Sequence, residues 1–144
     1  MRKLFLLILF AFCLTSCGTS LYYWGGTMNG ATEYEHLAYK NYSKQTPESI
    51  CRLICMYEDI VTYLGGSRKV PPPGICAEYG YLLLKPETAG VFANHATSMQ
   101  KKTFETADYA TFFPEKGKQL MLKEIELYPE SAKFIAPLIE RLSK

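Results

Sequence analysis

Apolar residues return every three or four positions through most of the chain after residue 46, and prolines and glycines cut that pattern into short pieces. A period near 3.6 gathers such residues on one face of a helix, whereas a half-buried strand needs a period of two. No run alternates with period two for long, which predicts an all-α fold. Thr46 can cap a first helix, Pro47 suits its first position and Glu48 complements its N-terminus. Ile50, Leu53, Ile54, Tyr57, Val61 and Leu64 form its apolar stripe, and Gly65 and Gly66 stop it. Arg68 and Lys69 lead into Pro71-Pro72-Pro73-Gly74, a stiff extended connector.

The same reading predicts a second helix from about Ile75 to Leu84, with Cys76, Tyr79, Gly80 and Leu83 on one face. Glycine inside a helix costs about 1 kcal/mol relative to alanine, so Gly80 points to a neighbouring helix at close approach. A third helix carries Ala89, Phe92, Ala93, Ala96 and Met99 and reaches about residue 104. Residues 108–113 read as a loop bearing aromatics. Pro114 is expected to open a fourth helix, with Leu120, Met121, Ile125 and Tyr128 inward. After a break at Tyr128-Pro129, a last helix holds Phe134, Ile135, Leu138, Ile139 and Leu142, and Pro137 should kink or divide it.

The N-terminal segment sets an address. Met1, Arg2 and Lys3 precede an apolar run from Leu4 to Leu14. Such a run is too short for a bilayer, which needs about 20 apolar residues, and matches the apolar core of a signal peptide. It ends in Leu14-Thr15-Ser16-Cys17-Gly18, similar to the bacterial lipobox, in which the cysteine thiol takes up a diacylglyceryl group. Cleavage before Cys17 is therefore expected, with residues 1–16 as a lipoprotein signal peptide. Acyl chains of the palmitate type would hold the chain, each buried methylene contributing about 0.8 kcal/mol. Glycine after the cysteine is similar to the pattern sorted to the outer membrane. Removing Arg2 and Lys3 from the 16 basic residues leaves 14 against 14 acidic ones, a balance that argues against nucleic acid as a partner.

Residues 17–45 read as a lipidated tether and a lead-in rich in tyrosine and glycine, with Gly25 and Gly26 breaking any regular element. Its aromatics suit either the lipid headgroup boundary or one end of the helical body, and large buried contact areas favour the second. Residues 46–144 form the helical domain. Within it, Ala77-Glu78-Tyr79-Gly80-Tyr81-Leu82-Leu83-Leu84 resembles the first helix of a tetratricopeptide repeat. Ile125-Glu126-Leu127-Tyr128-Pro129-Glu130-Ser131 resembles a repeat's end.

Tyr23-Trp24-Gly25-Gly26, Lys69-Val70-Pro71-Pro72-Pro73-Gly74, Ala77-Glu78-Tyr79-Gly80-Tyr81 and Leu127-Tyr128-Pro129-Glu130-Ser131 follow a lipobox in that order. The arrangement is similar to an uncharacterised family of bacterial envelope lipoproteins, a domain of unknown function with a tetratricopeptide-like body. The resemblance implies a helical adaptor facing the periplasm, with no known enzymatic activity. Its members are typically encoded beside a curli-secretion-channel-like lipoprotein and a second small lipoprotein, which implies other envelope lipoproteins as partners. Residues 86–113 depart from the family's shorter pattern by inserting a helix and a loop.

Few residues offer chemistry. Cys51, Cys55 and Cys76 remain after lipidation of Cys17, and an odd count leaves at least one thiol free or bonded to another chain. Cys51 and Cys55 lie off the apolar stripe, exposed or packed on a second neighbour such as the N-terminal tyrosines. Cys76 could form a disulfide with Cys51 or Cys55 if the first two helices pair as a hairpin; buried apolar thiols are the other reading. With His95 these cysteines match no known zinc spacing, and no metal or other cofactor is expected. Neither His36 nor His95 has a nucleophile motif beside it, so no catalytic residue or small-molecule substrate is evident. Glu58, Asp59, Glu124, Glu126 and Glu130 read as solvated helix faces. Tyr23, Trp24, Tyr79, Gly80, Tyr81, Phe112 and Phe113 are the candidates for packing or partner contact. The expectation is a lipid-anchored periplasmic adaptor in an envelope or secretion-associated assembly. The second reading is an envelope enzyme or glycan-binding module using the aromatic lead-in.

Overall fold

The computed structural model describes residues 20–142. The expected signal peptide, residues 1–16, and Cys17 lie outside them. The described residues form a two-stranded antiparallel hairpin, β1 (Thr27–Met28) and β2 (Ala31–Thr32), followed by seven α-helices. These are α1 (Glu33–Ser43), α2 (Pro47–Thr62), α3 (Ile75–Leu84), α4 (Thr88–His95), α5 (Ser98–Lys101), α6 (Tyr109–Leu127) and α7 (Ala132–Leu142). A 3-10 turn, Pro129–Ser131, precedes α7. None of these helices is long and apolar enough to cross a membrane. The fold is mostly helical, and the small hairpin is an addition to the expected all-α pattern. Asn29 and Gly30 both have positive φ, 54° and 83°, the geometry of a tight two-residue hairpin turn.

Local signals set most boundaries. Thr46 accepts from the Ser49 amide while the Ser49 hydroxyl accepts from the Thr46 amide, so α2 begins with two orphan donors satisfied. Thr32 and Glu35 do the same for α1. The predicted third helix is instead two, because Thr97 and Gln100 form a capping box that starts α5. Residues 108–113 are not a loop. Asp108 accepts from the Thr111 amide at 3.2 Å, and α6 runs from there through Pro114. The missing amide of Pro114 removes one bond near the helix start, while Tyr109 and Phe113 bury their rings. Pro137 does not divide α7, and Phe134 points outward with Lys133 Nζ 4.8 Å from its ring centre.

The tightest pair is α3 against α6. Gly74 lies by Glu124, Gly80 by Met121 and Leu84 by Gly117, so the two helices run antiparallel. Gly80 and Gly117 meet at the crossing: a Cβ on Gly80 would sit 2.6 Å from the Gly117 carbonyl oxygen. The insert at 86–113 folds back onto this pair and onto α2. Phe92 of α4 is fully buried and meets Phe104, Tyr109 and Phe113 edge to face at 5.0–5.3 Å. A smaller cluster, Met121 with Ile135 and Ile139, fixes α7 on the other side of α6. The connector is buried as well, since Pro71 and Pro72 lie in the core and Tyr128 donates to the Pro71 carbonyl at 2.7 Å.

Candidate interaction face around Glu58 and Lys116

Two tyrosine–glutamate bonds tie α2 to α3. Tyr57 donates to Glu78 at 2.8 Å, and Tyr79 donates to Glu58 at 2.7 Å. Each helix supplies a Tyr-Glu pair of adjacent residues, and the rings of Tyr57 and Tyr79 stack 5.5 Å apart. Tyr34 of α1 adds its hydroxyl to Glu78 at 2.9 Å. Burial first, then the carboxylates, pushes the phenols of Tyr57 and Tyr79 far up and that of Tyr34 to about 12. All three stay protonated donors at any physiological pH. Removing one donor leaves a partly buried carboxylate short of a partner. Tyr79→Phe is expected to cost about 2 kcal/mol, the range for hydrogen bonds to charged groups, read as a lower urea midpoint at unchanged m-value.

Glu58 has a second task at the surface. Its Oε1 pairs with Lys116 Nζ of α6 at 2.7 Å, with the side chains 15% and 20% exposed. Lys116 also stands 5.5 Å from the ring centre of Phe112 and 5.7 Å from that of Phe104. Three shallow depressions of about 340, 420 and 300 Å³ share Glu58 as a wall. They follow the seam of α2 with α6 and residues 103–106, a shallow trough on whose walls stand Thr62, Leu120, Lys123, Thr103 and Phe112, with the Glu58–Lys116 pair between the first two depressions. The reading of Glu58 as part of a solvated face is therefore corrected. Its partners stand 21 and 58 residues away in the chain.

Glu124 is corrected in the same way. It is buried, and its Oε1 accepts from the Gly74 amide at 2.7 Å, closing the N-terminus of α3. Its Oε2 is buried without a hydrogen-bond partner among the described residues. Burial raises its proton affinity, and the backbone donors of Gly74, Ala77 and Cys76 oppose that only in part.

The contact candidates do not converge on one site. Tyr23 and Trp24 pack against the body, Tyr79 and Phe113 are fully buried, and Gly80 serves the helix crossing. Phe112 is half-buried beside Lys116. Tyr81 is exposed, with Lys85 Nζ 5.3 Å from its ring centre. Tyr23 donates to Asp59 at 2.6 Å, a bond that raises its phenol to about 12.

The disulfide between Cys76 and Cys51 or Cys55 is not formed; all three thiols are free. They face different neighbours. Cys51 approaches the Val91 carbonyl of α4 at 3.9 Å, Cys55 approaches Gln100 of α5, and Cys76 is fully buried on α3. The second neighbour of Cys51 and Cys55 is thus the inserted segment, not the N-terminal tyrosines. Burial raises the Cys51 thiol and pushes those of Cys55 and Cys76 up to about 11. A raised thiol is a poor nucleophile at neutral pH. In the folded chain Cys51 and Cys76 should resist iodoacetamide while Cys55 reacts slowly, and urea should expose all three. Fewer than three alkylated thiols in urea without reductant would show a disulfide instead.

His95 is exposed and stands apart from the trough. Among the described residues, no three His, Cys, Asp or Glu side chains come together in a way that could hold a metal ion. No protein-family model, curated protein or solved structure matches the chain.

Proposed function

We propose that the chain is a lipid-anchored helical adaptor of the bacterial cell envelope, held by acylated Cys17 at the periplasmic side of the outer membrane. The observation that carries the reading is Leu14-Thr15-Ser16-Cys17 directly after a basic start and a short apolar run. The antiparallel α3–α6 pair, with glycines at its crossing, supports a tetratricopeptide-like body in which two helices pack at backbone distance. The trough at Glu58 and Lys116 is open and shallow, a shape suited to an extended segment of another protein rather than to an enclosed small molecule. Tyr23, Trp24 and Tyr34 turn into the body, which favours packing over glycan stacking for this segment.

The partner is another envelope lipoprotein, as the family resemblance implies. Cys17→Ala is expected to abolish incorporation of labelled acyl chains and to release the protein from the membrane fraction. Continued labelling contradicts the assignment of Cys17. Crosslinked cells should yield a second envelope lipoprotein with this chain, and Lys116→Glu should reduce its recovery severalfold by placing like charges at the trough. Recovery of abundant porins alone contradicts the adaptor reading.

A further inference from the structure

The chain is tied to its body almost as soon as it leaves Cys17. The Ser20 carbonyl accepts from the Ser67 amide at 3.1 Å, and the Leu21 carbonyl accepts from the Arg68 amide at 3.1 Å. Gly66, at φ 76°, admits this strand closely: a Cβ there would stand 2.6 Å from the Leu21 carbonyl oxygen. Ser20 is three residues from Cys17, and an extended chain spans at most about 3.6 Å per residue, so the reach is about 11 Å. A lipid on Cys17 thus leaves the body no long tether.

The surface at this end has a particular make-up. Leu21 is 56% exposed, Tyr63 61% and Leu64 40%. Tyr23 packs beneath them, its ring 4.7 Å from that of Tyr63, and directs its hydroxyl to Asp59. Arg68 holds the Tyr22 hydroxyl at 3.0 Å, and Lys69 stands exposed next to it. Apolar and aromatic side chains beside cationic ones are what a lipid headgroup boundary accommodates, the rings at the interface and the long cations reaching phosphates.

We propose that the face bearing Leu21, Tyr63 and Leu64 lies against the lipid headgroups, so that the anchor fixes the orientation of the body as well as its place. The inference rests on acylation of Cys17. It turns the C-terminal end of α2 toward the membrane and its N-terminal end away. The C-terminal end of this helix, at Tyr63, meets the surface. Its 16 residues then span about 24 Å, at 1.5 Å each, to the far end. There Asn41 of α1 accepts from Ser49 at 2.8 Å, and Tyr42, 88% exposed, marks the distal tip. The Glu58–Lys116 trough then lies toward the membrane-proximal end of α2, with Glu58 about 7.5 Å from Tyr63 along the helix and Thr62 in its wall.

The chain has a single tryptophan, Trp24, so Trp24→Phe allows a new one to report position. Acylated protein carrying Trp24→Phe with either Tyr63→Trp or Tyr42→Trp is reconstituted in phosphatidylethanolamine–phosphatidylglycerol vesicles with acyl chains brominated near the glycerol. The tryptophan at 63 is expected to lose at least twice the fraction of its emission that the tryptophan at 42 loses. Equal quenching at the two positions, or stronger quenching at 42, overturns the proposal. Far-ultraviolet circular dichroism checks folding, and Leu64→Trp replaces Tyr63→Trp if that variant unfolds. Mass spectrometry of the same samples reports acylation separately. If Cys17 carries no lipid, the anchoring reading falls and the orientation by acylation falls with it. The mature chain is then held by an N-terminal hexahistidine on nickel-chelating lipid, where equal quenching shows that the face itself has no preference for lipid.

Discussion

Alanine at Gly80 is expected to destabilise the domain by about 2–3 kcal/mol, even though alanine is the better helix former by about 1 kcal/mol. The added Cβ would meet the Gly117 carbonyl oxygen at 2.6 Å and Met121 Cγ at 2.9 Å. The first of these is backbone and cannot rotate away, so α3 and α6 must separate. Separation loosens contacts on both sides of the crossing, because interiors are packed near crystal density. Gly117→Ala meets the Gly80 carbonyl oxygen at 2.8 Å and should behave alike. The double variant should cost clearly less than the sum of the two, since one separation relieves both clashes. Thermal or urea unfolding of the three variants measures this, and strict additivity would show that the crossing is not a shared constraint.

Loss of the Glu124 carboxylate is the second large effect. Glu124→Ala deprives the Gly74 amide of its buried acceptor, a cost of about 1–3 kcal/mol for an unsatisfied donor, and leaves a cavity besides. Removing a desolvated acid offsets part of this, so a net loss of about 2 kcal/mol is expected. Glu124→Gln keeps an acceptor and should cost about 1 kcal/mol or less. The two variants also differ from the parent in pH dependence. A carboxyl raised in the folded state binds its proton more tightly there than in the unfolded chain. Its contribution to stability is therefore greatest below the ordinary glutamate range and is lost as pH rises through the raised value. Urea midpoints measured from pH 4 upward should fall across that window in the parent, and Glu124→Gln should flatten the fall. An unchanged slope would show that Glu124 does not titrate there.

What the sequence discloses depends on how far apart the partners stand. The start of α2 is legible because Thr46, Pro47 and Ser49 satisfy the helix end within four residues. The Gly80 glycine announces a close neighbour, though not that the neighbour is Gly117. Three further boundaries carry local signals. Asn29-Gly30 marks the hairpin, Thr97 with Gln100 marks the start of α5, and Asp108 with the Thr111 amide marks that of α6. Glu58 and Glu124 are different. Their partners are Tyr79, Lys116 and Gly74, distant in sequence, and on their own helices both look like ordinary exposed acids. The three thiols follow the same rule, since the insert that covers Cys51 and Cys55 has no marker saying where it folds.

The proposed lipid anchor governs the rest, because acylation of Cys17 is what would set one end of α2 at a membrane. Its most direct measurement is the mass of the N-terminal peptide from protein extracted from membranes. The prediction is a peptide that begins at Cys17 and carries two acyl chains on a diacylglyceryl thioether, with or without a third as an amide on its N-terminal amine. A peptide that retains residues before Cys17, or one that begins there with an unmodified thiol and free amine, would contradict it.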